Sequence, residues 1–161
     1  FSLNVKERLD FSCAILDAEA NLLVNAPHIP VHLGSLGICT RAVIENLPLN
    51  KGDVAITNHP AYGGSHLPDV TLIAPVYQDD TLIGYVANRA HHAEIGGARP
   101  GSMPPDARNL EEEGVVIAPT RVARGGQVDS CPCRVGLNAQ LLTHGGGRLA
   151  CLDPHVRAPW L

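Results

Sequence analysis

The sequence predicts an α+β fold built from β-hairpins and loops with one or two helices, forming an incomplete part of a larger domain. Three observations carry that expectation. Short apolar runs bounded by turn residues recur along the chain, one segment keeps a sustained helical period, and no internal repeat is present.

Taken in order, Phe11-Ser-Cys-Ala-Ile-Leu-Asp17 reads as a strand, and Asn21-Leu-Leu-Val-Asn25 as its hairpin partner. In Ala26-Pro-His-Ile-Pro-Val-His32 two prolines argue against a helix and predict a rigid, extended segment. From Gly34 to Leu47 the residues Leu36, Ile38, Val43, Ile44 and Leu47 fit one helical face, with Ser35 placed to cap it and Pro48 to stop it. Lys51-Gly-Asp53 turns into a short strand, Val54-Ala-Ile-Thr57. The stretch from Asn58 to Asp69 has the composition of a loop throughout. Two apolar runs, Val70 to Tyr77 and Leu82 to Asn88, flank the polar turn Gln78-Asp79-Asp80 and predict a β-hairpin. A second Gly- and Pro-rich loop covers Ala90 to Pro105, before a short helix near Asp106 to Glu113 and a strand near Val115 to Ile117.

The texture then changes. Cys131-Pro-Cys133, His144-Gly-Gly-Gly147 and Cys151-Leu-Asp-Pro-His155 sustain neither helical nor strand periodicity. The expected organisation is a partial domain over residues 1–128 and an irregular tail over 129–161. The tail's Cys, Gly, Arg and Pro bias suits a frameshifted or truncated reading of the gene.

Composition narrows the function classes. With 45% hydrophobic and 17% charged residues, the 161-residue chain has the profile of one globular domain. A formal net charge of −4 and scattered basic residues argue against a nucleic-acid partner. No apolar run approaches the roughly 18 residues of a membrane span, and the start lacks a signal-peptide pattern, so no membrane association is expected. Five cysteines at irregular spacing do not read as a secreted disulfide framework, which favours a cytoplasmic location. Histidine is the outlier: six of the eight lie between residues 28 and 92, several beside Gly or Pro. Loop histidines next to glycine are poor core fillers and direct attention to chemistry.

The predicted hairpin brings some of them together. Asp69 precedes its first strand and His91 follows its second, so both belong at its open end. His66 lies three residues before Asp69, with Pro68 stiffening the link. Two imidazoles and a carboxylate form a common ligand set for manganese, zinc or iron, with other positions left for water or substrate. The competing reading is a set of surface loop residues making turn hydrogen bonds, and spacing alone leaves the two evenly matched. Gly63-Gly64 and Gly96-Gly97 flank the two halves and are candidates for holding an anionic ligand on backbone N–H groups; flexible loops are the alternative. No P-loop or dinucleotide-binding fingerprint is present. His28 and His32, four apart on the segment read as extended, are candidate acid–base or supporting groups, with structural histidines bonded to backbone as the alternative. Glu7 and Asp10 suit a salt bridge better than a ligand role.

Several strings carry a wider resemblance. Glu7-Arg-Leu-Asp-Phe-Ser-Cys-Ala14, Ala26-Pro-His-Ile-Pro-Val-His-Leu-Gly34, Gly63-Gly-Ser-His-Leu-Pro-Asp69, Asn88-Arg-Ala-His-His-Ala-Glu-Ile-Gly-Gly97 and Pro100-Gly-Ser-Met-Pro-Pro105 resemble the hydantoinase B/oxoprolinase family, in order from about Phe1 to Gln127. The resemblance implies the B-type component of N-methylhydantoinases, 5-oxoprolinases and the acetone and acetophenone carboxylases. In such enzymes an A-type subunit or domain binds ATP and phosphorylates the carbonyl oxygen of a small cyclic amide, so ATP is expected to be used by the partner and not bound by this chain. The HxxD motif and a later His hold the metal in carboxylase relatives, and these fall on His66, Asp69 and His91. An acidic ligand from the N-terminal region is also implied, with Asp10 as the choice. The implied reaction is ATP-dependent opening of a cyclic amide or imide, with His28, His32 and His92 as candidate catalytic groups. His91-His92 and Pro100-Gly-Ser-Met-Pro-Pro105 look more like the hydrolase than the carboxylase branch. The alternatives are an acetone-carboxylase-like subunit and a non-catalytic metal-binding fragment. Family members are several times longer, which predicts that the chain by itself is inactive.

Overall fold

The computed structural model describes residues 3–26, 29–101 and 103–128. His28 and the 129–161 tail lie outside the described residues. The chain opens with a short helix α1 (Leu3–Glu7) and a hairpin of β1 (Phe11–Leu16) and β2 (Leu22–Ala26). Two helices follow, α2 (Pro30–Leu33) and α3 (Ser35–Asn46), then β3 (Val54–Thr57). A long hairpin of β4 (Asp69–Gln78) and β5 (Thr81–His91) precedes α4 (Leu110–Glu113), β6 (Thr120–Arg124) and β7 (Gln127–Val128). The strands make one seven-stranded sheet in the order β2-β1-β5-β4-β3-β6-β7, antiparallel at every junction, so the fold is α+β.

Strand alternation decides which face is covered. Ser12, Ala14 and Leu16 of β1 are buried while Cys13 and Ile15 are exposed, as a period of two requires. On α3 the buried residues Leu36, Cys39, Thr40 and Val43 recur at i, i+3, i+4 and i+7, one helical stripe. That stripe packs on Ala14, Leu16, Ala55, Ile73, Tyr85 and Ala87 of the sheet to form the core. On the opposite face Ile15 lies beside Val24 and Val86 on neighbouring strands, and all three are exposed. Trimming the core by one methyl tests this assignment. Ile73→Val is expected to cost about 1 kcal/mol, read from the midpoint shift in urea unfolding, whereas Ile15→Val should move it little.

The long hairpin ends in a two-residue turn, Asp79-Asp80, with Asp79 in the left-handed region at φ 54°. From that turn its register runs without loss of pairing to Asp69 opposite His91, apart from a shift between Val76 and Tyr77.

Several local expectations change. Residues 30–33 form a helical turn, because a proline at the first helical position sacrifices only an N–H that has no helical partner. Ser35 does not cap α3; Gly34 occupies the cap, and the Ser35 hydroxyl donates back to the Val31 carbonyl at 3.0 Å. The helix expected from Asp106 begins only at Leu110, where the Asn109 side chain accepts from the Glu112 N–H at 2.9 Å. The strand expected near 115–117 forms instead at Thr120–Arg124. The backbone of 115–117 is instead engaged by the buried Asn58 side chain, which donates to the Val115 carbonyl at 2.7 Å and accepts from Ile117 N–H at 2.7 Å. Among the described residues, no helix is long and apolar enough to cross a membrane.

Candidate metal centre

The open end of the β4–β5 hairpin sits beside the start of α3 and the loop of residues 58–68. Asn58 ties that loop down, because its amide also donates to the Leu67 carbonyl at 2.8 Å. The Pro68 carbonyl accepts from His92 N–H at 2.9 Å, and the Asp10 carbonyl accepts from His91 N–H at 2.9 Å. The backbone therefore fixes both approaches to the hairpin end before any side chain is considered.

Asp69 is the centre of the arrangement. Its carboxylate is wholly buried, yet three imidazoles reach it: His91 Nδ1 at 3.0 Å from Oδ1, His66 Nδ1 at 3.1 Å and His32 Nε2 at 3.3 Å from Oδ2. The Ser65 hydroxyl also donates to Oδ2. Burial alone would raise the carboxyl's pKa. The hydrogen bonds from His32 and Ser65, the charge of His66 and the His91 bond outweigh it and hold the group well below the usual carboxylate range. Asp69 is thus a buried, fixed anion.

His66, Asp69 and His91 each offer a ligand atom, and these lie within 4.8 Å of one another; among the described residues this is the group that could hold a metal ion. The donor set fits a divalent cation: one anionic oxygen, two imidazole nitrogens, and side chains of His66 and His91 that remain 24% and 13% exposed for approach from solvent. His66 and His91 stack with ring centroids 4.8 Å apart, tilted by 32°.

The other predicted residues fall into distinct places. His32 is buried behind Asp69, with Nδ1 at 2.9 Å from Ser12 Oγ. Because a carboxylate only accepts, the His32 Nε2–H donates to Asp69, while Nδ1 pairs with the Ser12 hydroxyl. That role orients Asp69. His92 is half-buried at the edge, where burial and the neighbouring His91 push its imidazolium pKa down despite the pull of Asp69. Asp10 is held next to His91 through its backbone, but its carboxylate does not join the cluster, and neither Glu7 nor Asp10 forms an ion pair among the described residues.

Three of the four glycines, Gly63, Gly64 and Gly97, are used for close packing. Gly63 has φ 79° and lies so near α3 that a Cβ would sit 2.7 Å from Cys39 N; a Cβ on Gly64 would meet the Asn58 carbonyl and one on Gly97 the Glu113 carbonyl. The Gly63 N–H donates to Pro60 and that of Gly96 to the Glu94 carboxylate at 2.7 Å, so these two donors are spent within the chain. Reading the sequence missed Ser65, Ser12 and Arg89. A signal for Arg89 was present, since it falls in phase with the inward residues Tyr85 and Ala87.

The hydantoinase B/oxoprolinase family matches residues 1–138. The chain belongs to that family. It is 55% identical over 128 residues to 5-oxoprolinase of Saccharomyces cerevisiae and 50% identical over 127 residues to 5-oxoprolinase 1 of Arabidopsis thaliana, covering in each case 78% of this chain and 10% of the relative. The chain thus spans about a tenth of these relatives. Among solved structures, the ATP-dependent caprolactamase of Pseudomonas jessenii matches with a TM-score of 0.70 at 32% identity, covering 87% of this chain and 24% of that one. A nucleotide-free acetone carboxylase matches with a TM-score of 0.73 at 22% identity over 80% of this chain and 17% of that one, which is a likeness of fold.

Proposed function

We propose that the chain forms the metal-holding part of the B-type component of an ATP-dependent cyclic amide or imide hydrolase, of the 5-oxoprolinase or N-methylhydantoinase kind. It acts in the cytoplasm on a small substrate that an A-type partner has activated with ATP. The observation that carries this reading is the convergence of His66, Asp69 and His91 at one hairpin end, in a chain about half identical to 5-oxoprolinases.

Manganese, zinc or iron bound there supplies Lewis acidity toward a carbonyl or phosphoryl oxygen of the activated substrate. The remaining work falls to the chain. Asp69 is kept anionic by its donors, His66 and His91 present nitrogen ligands from the loop before β4 and from the end of β5, and His32 with Ser12 keeps the carboxylate from rotating. His92, held toward its neutral form at the edge, is placed to exchange a proton near substrate. The 5-oxoprolinase relatives favour hydrolysis over carboxylation, and the carboxylase likeness speaks only to the fold.

Elemental analysis of the purified chain is the first test. About one equivalent of a divalent metal is expected, and treatment with a chelator should remove it. A folded chain with no metal sinks the reading. With metal present, adding an A-type subunit should give ATP turnover that depends on 5-oxoproline or a hydantoin. Stoichiometric metal without turnover would instead leave a binding fragment.

A further inference from the structure

Among the described residues Arg89 is the largest fully buried side chain, and its partners are unusual for a cation. Nε donates to Thr71 Oγ1 at 2.8 Å, Nη2 to the Gly63 carbonyl at 3.0 Å and Nη1 to Ser35 Oγ. Every one of these acceptors is neutral. Cys39 lies alongside, and burial pushes its thiol pKa up in spite of the Arg89 charge, so it supplies no counter-anion. Among the described residues, Arg89 forms no ion pair. Burying an arginine without a carboxylate is costly, and an apolar residue would fill the same strand position at less cost.

What the arginine does that an apolar side chain cannot follows from its place. Thr71 opposite Arg89 is the cross-strand pair two positions inward of Asp69 opposite His91, the next on the same face, and Ser12 flanks Arg89 on the other side. The three acceptors belong to three different segments. Thr71 is two residues from Asp69 on β4. Gly63 lies two residues before Ser65 and three before His66. Ser35 begins α3, and its Oγ contacts the His32 carbonyl at 3.3 Å. A planar guanidinium with donors in a fixed fork reaches all three at once, whereas a lysine would offer one compact charge.

We propose that Arg89 is a positioning residue that clamps the His66 loop, the His32 turn and the β4–β5 ladder into the one alignment in which His66, Asp69 and His91 share a ligand. It is fully buried, spends its hydrogen bonds on Thr71, Gly63 and Ser35, and acts through the segments that carry the candidate ligands. The proposal rests on the metal reading above, but its test has an arm that does not.

In the full chain, Arg89→Met should weaken binding of added manganese or zinc by roughly 10- to 100-fold, the range seen when outer partners of metal ligands are lost. Amide exchange at Gly63 to His66 should quicken while β4–β5 stays protected. Arg89→Lys should fall near Arg89→Met. If Arg89→Met does not fold, Ser35→Ala removes one acceptor and leaves the charge, and should still lower affinity several-fold. A purely structural residue would lower the melting temperature and leave both metal affinity and loop exchange as in the parent. That result in any folded variant overturns the clamp. Should the parent bind no metal, the function proposed above falls, and loop exchange alone then decides: faster exchange confined to Gly63–His66 supports the clamp, and unchanged exchange overturns it.

Discussion

Asp69→Ala is expected to abolish stoichiometric metal binding, with affinity reduced by more than the roughly 10- to 100-fold that loss of an outer partner costs. The carboxylate is the only anionic ligand in the cluster, and three imidazoles and a hydroxyl converge on it. The substitution also leaves the buried His32 Nε2–H without its acceptor, a loss of about 1–3 kcal/mol for an unsatisfied buried donor. Asp69→Asn separates the two effects, because it keeps shape and one acceptor oxygen while removing the charge. Its fold should survive with metal binding still lost. The check is metal titration beside urea unfolding for both variants. Retained one-to-one metal in folded Asp69→Asn would place the ion elsewhere.

The sequence made this cluster legible for a simple reason. A hairpin with a tight turn fixes where its open ends lie, so Asp69 and His91 could be paired without knowing the rest of the sheet, and they are directly opposite. His66 follows because it lies only three positions before Asp69. The core helix was readable as well, since its buried residues keep one stripe. What periodicity could not supply was everything that depends on a long-range partner. The backbone of 115–117 reads as a strand by composition, but Asn58, distant in sequence, takes its hydrogen bonds. Pro30 was misjudged because its effect depends on whether it falls inside a helix or at its first position. His32, a candidate by residue type alone, comes to lie behind Asp69 through a helical turn that two prolines argue against.

Gly63→Ala should destabilise the chain by roughly 2–4 kcal/mol, combining a non-glycine residue in the left-handed region with overpacking against a helix. Gly63 has φ 79°, and an added Cβ would lie 2.7 Å from Cys39 N and 2.8 Å from Cys39 Cα, both backbone atoms that cannot swing aside. Relief requires the loop to lift from α3, which would pull the Gly63 carbonyl off Arg89 and carry Ser65 and His66 away from Asp69. Stability and metal affinity should therefore fall together in urea unfolding and metal titration of the same preparation. An anion-cradling glycine predicts a different outcome. Its N–H would survive in alanine, so both the unfolding midpoint and the binding of phosphate or substrate would stay near the parent values. The Gly63 N–H already donates to Pro60, which favours the packing account. Urea unfolding of this one variant decides between a glycine kept for its lack of a side chain and one kept for its backbone donor.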